Sequence, residues 1–244
     1  LEFRRVLFRS NQFKDYCIGD TISEREIDHL LAGYPVPQQE HDLWCLDQEI
    51  NDRGVPVDLD LVHGACKIET AEKNHLKEKL GELTGLDNGN SPAQLQPWLA
   101  DEGLALPNMQ KATLEAALKS PLSPLVESVI RTKLDSSKTS TTKWHAFAKA
   151  CGEDGWLRGM FSFGGAQRTQ RWAGRIVQLQ NLKSPRMPNP DVLADMLMPG
   201  NRELVEALHG DVIGLLSETV RCAITAPPGK RLAVSDLLSL KPKS

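Results

Sequence analysis

A long helical repeat between two end signals most constrains how this chain can fold. Asp58 stands where an N-cap is needed, and Gly85 stands where a helix commonly ends. Between them, apolar residues recur at three-, four- or eight-residue steps: Leu61, Ala65, Ile68, Leu76, Leu80 and Leu83. Alternation of apolar and polar residues is rare elsewhere, and aromatic residues make up only 5% of the chain. The sequence therefore predicts a mainly α-helical protein with a small β component.

Shorter elements flank this repeat. Helices are predicted at 22–32, 38–52, 91–99, 123–149, 191–198, 201–208 and 211–222, with a loosened stretch at the Ser/Thr cluster 136–142. Strands are predicted at 156–163, 175–180 and 232–236. The β component therefore begins after Cys151, which makes the fold class α+β.

Composition excludes several classes of protein. Hydrophobic residues make up 40% of the chain and charged residues 25%, which excludes wholesale disorder. No stretch of about 18 apolar residues is present, so no membrane span is expected. The five cysteines are widely spaced and form no Cys-x-x-Cys pair, which indicates a reducing cytoplasm. Residues 1–12 and 238–244 are interpreted as a non-native leader and a non-native or truncated tail.

Charge is distributed unevenly along the chain. Residues 15–60 contain twelve acidic residues and two arginines, although the net charge of the whole chain is only −3. The span 155–190 contains no acidic residue and six basic ones: Arg158, Arg168, Arg171, Arg175, Lys183 and Arg186. This asymmetry predicts an electropositive surface on a mildly acidic molecule.

The acid-free span combines cations with planar amides. Its candidate groups are Thr169, Arg171, Arg175, Gln178, Gln180 and Asn181. Arginine neutralises phosphates, and Gln and Asn exchange hydrogen bonds with base edges, including the minor-groove acceptors. This pattern is typical of a nucleic-acid-binding segment. The alternative is a solvated strand with ordinary surface arginines.

A second basic stretch covers residues 131–149. It contains one acid, Asp135, and five cations, Arg131, Lys133, Lys138, Lys143 and Lys149. Six hydroxyl residues are clustered at 136–142: Ser136, Ser137, Thr139, Ser140, Thr141 and Thr142. Lysines, hydroxyls and helix-end amides all bind phosphate without reading sequence. The alternative is a polar helix face with a flexible tip.

The sequence gives little support for other kinds of catalytic or metal site. The histidines show no His-x-x-x-His spacing, no nucleophile elbow is present, and Gly164-Gly165 is not followed by a phosphate-loop lysine. Asp20 and Asp236 each lie beside a predicted element, but metal-assisted phosphoryl chemistry needs several converging carboxylates.

Taken in order, several motifs resemble those of family A DNA polymerases, the bacterial polymerase I class and its phage and prophage relatives. Residues 16–20 resemble the Tyr-x-x-x-Asp motif of the proofreading exonuclease, and 46–58 resemble the entry to the thumb. Asn90 to Leu95 is similar to Asn-x-Ser-x-x-Gln-Leu, and 131–140 resemble the thumb tip. Residues 169–182 are similar to Thr-Gly-Arg…Leu-Gln-Asn, with Gln170 in place of the usual glycine, and 232–236 resemble the strand that opens motif A.

The resemblance implies specific roles. Tyr16 would position a nucleolytic water and Asp20 would bind a metal in an exonuclease site, whereas Asp236 would be one of two palm carboxylates that hold Mg²⁺. The implied DNA contacts are Asn90, Gln94, Arg131, Lys138, Lys143, Thr169, Arg171, Arg175, Gln180 and Asn181.

The resemblance also implies a domain organisation. Residues 13–34 would end an exonuclease-like domain, 35–152 would form a helical thumb, and 153–237 would begin an antiparallel palm sheet. The chain is thus interpreted as a fragment of a DNA-directed DNA polymerase from a bacterial or phage-infected cytoplasm. It would be a monomer that binds primer-template DNA without incorporating nucleotides, whereas its parent would use dNTPs. The alternatives are a noncatalytic DNA-binding module and a helical scaffold.

Overall fold

The computed structural model describes residues 2–166 and 168–233, and the chain divides into two compact units at residues 49 and 50. The first unit contains a 30-residue helix, α1 (Glu2–Leu31), and most of α2 (Gln38–Arg53). The helix predicted at 22–32 therefore begins about twenty residues earlier. The Pro-Val-Pro segment at 35–37 separates the two helices, because proline cannot continue a helix without losing a backbone hydrogen bond.

The second unit is built around one long helix, α3 (Leu59–Thr84), as predicted. The Asp58 carboxylate accepts a hydrogen bond from the Leu61 backbone N–H at 2.9 Å, which caps the helix. Gly85 ends it with a φ of 70°, a left-handed conformation that glycine adopts without a steric penalty.

Seven further helices and two short sheets lie in the described part of this unit. The helices are α4 (Pro92–Asp101), α5 (Lys111–Ala117), α6 (Pro124–Ser136), α7 (Lys143–Ala150), α8 (Pro190–Asp195) and α9 (Arg202–His209). The seventh, α10 (Val212–Glu218), precedes a 3₁₀ turn at Val220–Ala223. Strand β1 (Val55–Pro56) pairs antiparallel with β2 (Trp156–Leu157), and β3 (Phe161–Ala166) pairs antiparallel with β4 (Arg171–Gly174). The fold class is mainly α with a small antiparallel β component.

Two hydrophobic cores share α3. The first half of α3 contributes Val62, Ala65 and Ile68 to a core that also contains Trp144 and Phe147 of α7. Residues from the β region and from α8 to α10 complete this core: Leu157, Met160, Val177, Leu182, Ala194, Leu197, Val205, Val212, Leu215 and Leu216. The second half of α3 contributes Leu80 to a separate core with α4, α5 and α6. The helix α3 therefore joins a helical tip, which consists of α4, α5 and α6, to the β-containing region.

Several predicted boundaries differ from the structure. The helix predicted at 123–149 is divided at the Ser/Thr cluster, as expected, into α6, a 3₁₀ turn at Ser140–Thr142, and α7. The helix predicted at 91–99 continues to Asp101 with Pro97 inside it, and α5 falls between the helices predicted at 91–99 and 123–149. Residues 231–233 have no regular structure, and the remainder of the strand predicted at 232–236 lies outside the described residues.

The strand predicted at 175–180 is wrong. The strand β4 ends at Gly174, and the following segment turns, with positive φ values at Ile176 and Gln178 and a 3₁₀ turn at Leu179–Asn181. The apolar alternation arises because Val177 is fully buried in the core while its two neighbours are exposed. A single anchored residue in a turn thus produces the same pattern as a half-buried strand.

Candidate nucleic-acid interface

The β3–β4 hairpin forms the centre of the candidate site. Phe161 lies opposite Gly174, and Ser162 lies opposite Ala173, before an irregularity in β3. Because successive side chains of a strand point to opposite faces, Arg171 and Ala173 share one face of β4, and Trp172 and Gly174 share the other. The hairpin therefore has two chemically different faces.

Arginines define the first face. The Arg175 guanidinium donates a hydrogen bond to the Ser162 hydroxyl at 3.0 Å, which places it on the side of Arg171. The side chains of Arg168, Arg171 and Arg175 are exposed. Within the described parts of the chain, none of these three forms an ion pair. Their charges are therefore available to an anionic partner.

An amide and an indole define the second face. The Gln180 side-chain amide lies directly over Gly174, so a Cβ at that position would collide with it. Glycine is thus required for this close approach. Trp172 points to the same face and is 42% exposed. Trp172 was not among the predicted site residues, although its position between Arg171 and Arg175 is a signal that could have indicated it.

The turn of the hairpin contains Thr169 and Gln170. The Ala166 carbonyl accepts hydrogen bonds from the backbone N–H groups of both residues, at 3.0 and 2.8 Å. Gln170 has a φ of 52°, in the left-handed region that glycine adopts most readily. A glycine, the residue expected here from the resemblance to family A polymerases, would adopt this conformation without a steric penalty.

The loop that follows, residues 178–181, carries three amides. The Asn181 side chain donates to the Gln178 side-chain oxygen at 3.0 Å, and its backbone N–H donates to the Gln178 carbonyl at 2.8 Å. The side chains of Gln178, Gln180 and Asn181 are exposed. The structure thus places these three amides in the loop that directly follows the arginine-bearing hairpin.

A buried carboxylate supports this region from α10. Glu218 forms an ion pair with Lys183 and accepts a hydrogen bond from the Arg186 backbone N–H at 2.7 Å. The hydrogen bond from Lys183 lowers the pKa of Glu218, although burial opposes this shift. Arg221 donates two hydrogen bonds to the Leu182 carbonyl, at 3.0 and 2.7 Å. Neither Glu218 nor Arg221 was predicted, because only the tertiary structure brings them to this segment.

Two predicted contacts, Asn90 and Gln94, are engaged within the protein. The Lys133 ammonium donates to the Asn90 backbone carbonyl at 2.8 Å, and the Ser136 hydroxyl donates to the Asn90 side-chain oxygen at 2.8 Å. Burial lowers the pKa of Lys133. The Gln94 side-chain oxygen accepts from the Asn88 backbone N–H at 3.0 Å. These contacts hold the loop before α4 against α6, and the exposed side chain of Gln94 still reaches solvent.

The two cations predicted at the helical tip form surface ion pairs. Arg131 pairs with Glu127 at 2.7 Å, and Lys138 pairs with Asp135 at 2.8 Å. Pairs between exposed side chains contribute little stability, on the order of 0–1 kcal/mol, so a phosphate can replace the carboxylate partner. Both cations border a cleft of about 510 Å³ with an apolar floor of Met109, Leu114, Leu118 and Leu134.

The residues that resemble catalytic groups do not form a metal centre in the described structure. Tyr16 and Asp20 lie one helical turn apart on α1, and both are exposed. Among the residues that the structure describes, no group of three or more His, Cys, Asp or Glu side chains is placed to hold a metal ion. Asp236 lies outside the described residues. In residues 2–166 and 168–233, no helix has both the length and the apolar composition to cross a bilayer.

Comparison with known proteins identifies a relative of this chain. A protein of Bacillus phage SP02 named DNA polymerase is 39% identical to this chain over 230 residues. The match covers 94% of this chain and 36% of the relative, so the chain spans about a third of the relative's length. No protein-family model and no solved structure matches the chain. The similarity confirms the resemblance to a phage DNA polymerase.

Proposed function

We propose that this chain is the part of a DNA polymerase that holds the primer-template duplex. The observation that carries the proposal is the β3–β4 hairpin with its adjoining loop, where exposed arginines without ion pairs lie beside exposed amides. Guanidinium groups contact phosphates and carbonyl oxygens, and amides donate to the acceptors that every base pair presents in the minor groove. This chemistry suits a protein that must hold any sequence.

The proposed binding surface has two parts. The hairpin and loop, with Thr169, Arg171, Arg175, Gln180 and Asn181, would contact the duplex near the primer terminus. The helical tip, with Arg131 and Lys138, would exchange its surface carboxylates for phosphates. The resemblance to family A polymerases supports this division, since it places the thumb tip and the motif that contacts the primer terminus in these same segments.

The catalytic assignment belongs to the longer protein. By family resemblance, Asp236 would be one of two palm carboxylates that hold Mg²⁺ during nucleotidyl transfer with dNTPs, inside a bacterial or phage-infected cell. Tyr16 and Asp20 would belong to a proofreading site. The 244 residues contain no His-Asp-Glu match for the second palm carboxylate. We therefore expect the isolated chain to bind primer-template DNA and to leave a labelled primer unextended, which a primer-extension assay measures.

Fluorescence anisotropy with a labelled primer-template at several salt concentrations tests the binding proposal. Neutralisation of phosphates releases counterions, so log K should fall linearly with log salt, with a slope of about −0.9 per phosphate contact. Arg171→Ala should weaken binding at least several-fold. It should also reduce the steepness of the salt dependence by about the amount that one phosphate contact contributes.

Arg158→Ala is the matched control. Arg158 lies in the same acid-free span, but its guanidinium is paired with Asp154 at 2.7 Å and donates to the Asp52 carbonyl. Its replacement should change DNA affinity much less. Absence of DNA binding by the unmodified chain would contradict the proposal and favour the helical scaffold.

A further inference from the structure

Lys143 contacts Val177, the residue that precedes the amide-bearing loop 178–181, rather than open solvent. It is the first residue of α7, and its ammonium donates a hydrogen bond to the Val177 backbone carbonyl at 2.8 Å. The side chain is partly buried. The two residues are separated by 34 positions in sequence, so this contact joins the basic stretch 131–149 to the acid-free span.

Val177 is the residue on which the turn depends. Its neighbours Ile176 and Gln178 have φ values of 53° and 54°, a conformation that is costly for residues with a Cβ and persists only where surrounding contacts impose it. The Val177 side chain is fully buried in the core. With its carbonyl held by Lys143, this residue is fixed at both its side chain and its backbone.

The helix that carries Lys143 is itself firmly held. The buried Trp144 indole donates to the Leu216 carbonyl of α10 at 2.9 Å. The buried Thr141 hydroxyl, just before α7, donates to Glu69 of α3 at 3.1 Å. Because α7 is anchored to two other helices, the Lys143 ammonium has a defined position from which to hold the loop.

The other end of the loop is held independently. Arg221 binds the Leu182 carbonyl, and Glu218 binds Lys183 and the Arg186 backbone. Between these two anchors lie the exposed amides of Gln178, Gln180 and Asn181. The backbone that carries the three amides is therefore held on both sides, at 177 and at 182–186.

We propose that Lys143 is a positioning residue that holds the base-reading loop 178–181, and that it is not a phosphate ligand. The proposal rests on the proposed function insofar as it concerns DNA, but its structural part concerns the free chain alone. It replaces the role that family resemblance implies for Lys143 with one that its hydrogen bond to the Val177 carbonyl supports.

Hydrogen exchange of the free chain tests the structural part. Lys143→Met keeps most of the side chain and removes the donor, and it should raise the exchange rates of the Gln178 and Asn181 amides by about tenfold or more. Lys143→Arg retains a donor and should restore much of the protection. Lys149→Met is the matched control, because Lys149 is exposed on the same helix and forms no ion pair among the described residues.

Amides in the middle of α3 should keep their protection in all three variants, which separates a local effect from unfolding. Unchanged exchange at Gln178 and Asn181 in Lys143→Met would overturn the proposal. This readout needs no DNA, so it decides the positioning role even if the proposed function fails.

DNA binding tests the second part. Lys143→Met should weaken binding while the salt slope stays that of the unmodified chain, whereas loss of a phosphate ligand would reduce the slope by about 0.9. A primer-template with 3-deazaadenine at the terminal pair lacks one minor-groove acceptor. The unmodified chain should bind this DNA more weakly than the ordinary primer-template. Binding by Lys143→Met should differ little between the two DNAs. A reduced slope would overturn the claim that Lys143 is not a phosphate ligand. Full additivity of the losses in binding caused by Lys143→Met and by 3-deazaadenine would overturn the link between Lys143 and base reading.

Discussion

At the scale of single residues, backbone conformation and hydrogen-bond partners decide what each predicted site residue can do. Arg171 and Gln180 are presented on different faces of one hairpin, and Gln180 reaches its place only because Gly174 lacks a side chain. Lys143 carries the same charge that a phosphate contact needs, yet its ammonium is bound to a backbone carbonyl. Residue type alone does not distinguish these roles.

Gln170→Gly should stabilise the protein by about 1 kcal/mol. Gln170 adopts a φ of 52°, and a left-handed conformation costs a residue with a Cβ roughly 1–3 kcal/mol. Glycine removes this cost, but its larger conformational entropy in the unfolded state offsets part of the gain in stability. Urea unfolding measures the change. Thr169→Gly is the control, because the φ of Thr169 is not in the left-handed region, and it should give no gain. An equal gain in both variants would contradict the explanation.

At the scale of elements, buried ion pairs attach helices to α3. Glu72 of α3 and Arg202 of α9 are each 8% exposed, and the Arg202 guanidinium donates to Glu72 at 2.6 Å. Glu206 accepts a second hydrogen bond from Arg202 at 2.9 Å but is 51% exposed. Gly64 allows α3 to approach the Met198 carbonyl, which a Cβ would meet at 2.6 Å. The orientation of α9 on α3 thus depends on a few close contacts.

Arg202→Met should destabilise the protein by about 3–5 kcal/mol, because it leaves the buried Glu72 charge without a partner. Glu206→Gln should cost less than about 1 kcal/mol, since that carboxylate is half exposed. The double variant Glu72→Met, Arg202→Met should recover most of the loss, because it removes both buried charges. Chemical denaturation measures all three, and a double variant no more stable than Arg202→Met would contradict the argument.

Secondary structure was predictable wherever local signals agreed with the final packing. The caps Asp58 and Gly85 and the apolar spacing between them predicted α3 correctly, because each signal acts within a few residues. The turn at 175–180 was not predictable, because its positive φ values are maintained by contacts from the core and from α7. Likewise, α5 gave no clear local signal and is completed by burial of Leu114 and Ala117.

At the scale of the whole molecule, one buried carboxylate joins three segments. Glu69 of α3 accepts hydrogen bonds from Thr141 at 3.1 Å and from the His145 ring at 2.7 Å, and it also pairs with Lys73. Burial raises the pKa of Glu69, but the hydrogen bonds from Lys73 and His145 outweigh burial and leave the pKa below its ordinary value of 4.5. The ionised form is therefore favoured by folding.

As the pH is lowered below about 4.5, the protein should lose stability, and part of this loss should come from protonation of Glu69. A lowered folded-state pKa contributes stability above the unfolded pKa, and this contribution is lost as pH falls through the folded pKa. Glu69→Gln should be less stable than the unmodified chain at pH 7, and the difference in stability should narrow as the pH falls below about 4.5. Urea midpoints at pH 7, 5, 4 and 3 measure the effect. A constant difference across this range would show that Glu69 is not responsible.

The sequence by itself determined the class of fold, the long helix, the break at the Ser/Thr cluster and the acid-free span that marks the candidate interface. These follow from local propensity, capping and charge, all of which are properties of neighbouring residues. Only the tertiary structure decided that Lys143, Glu218 and Arg221 hold the segment between Val177 and Arg186, and that Gln180 lies over Gly174. Each of these arrangements depends on hydrogen bonds or close approaches that form only when distant segments pack around a common core.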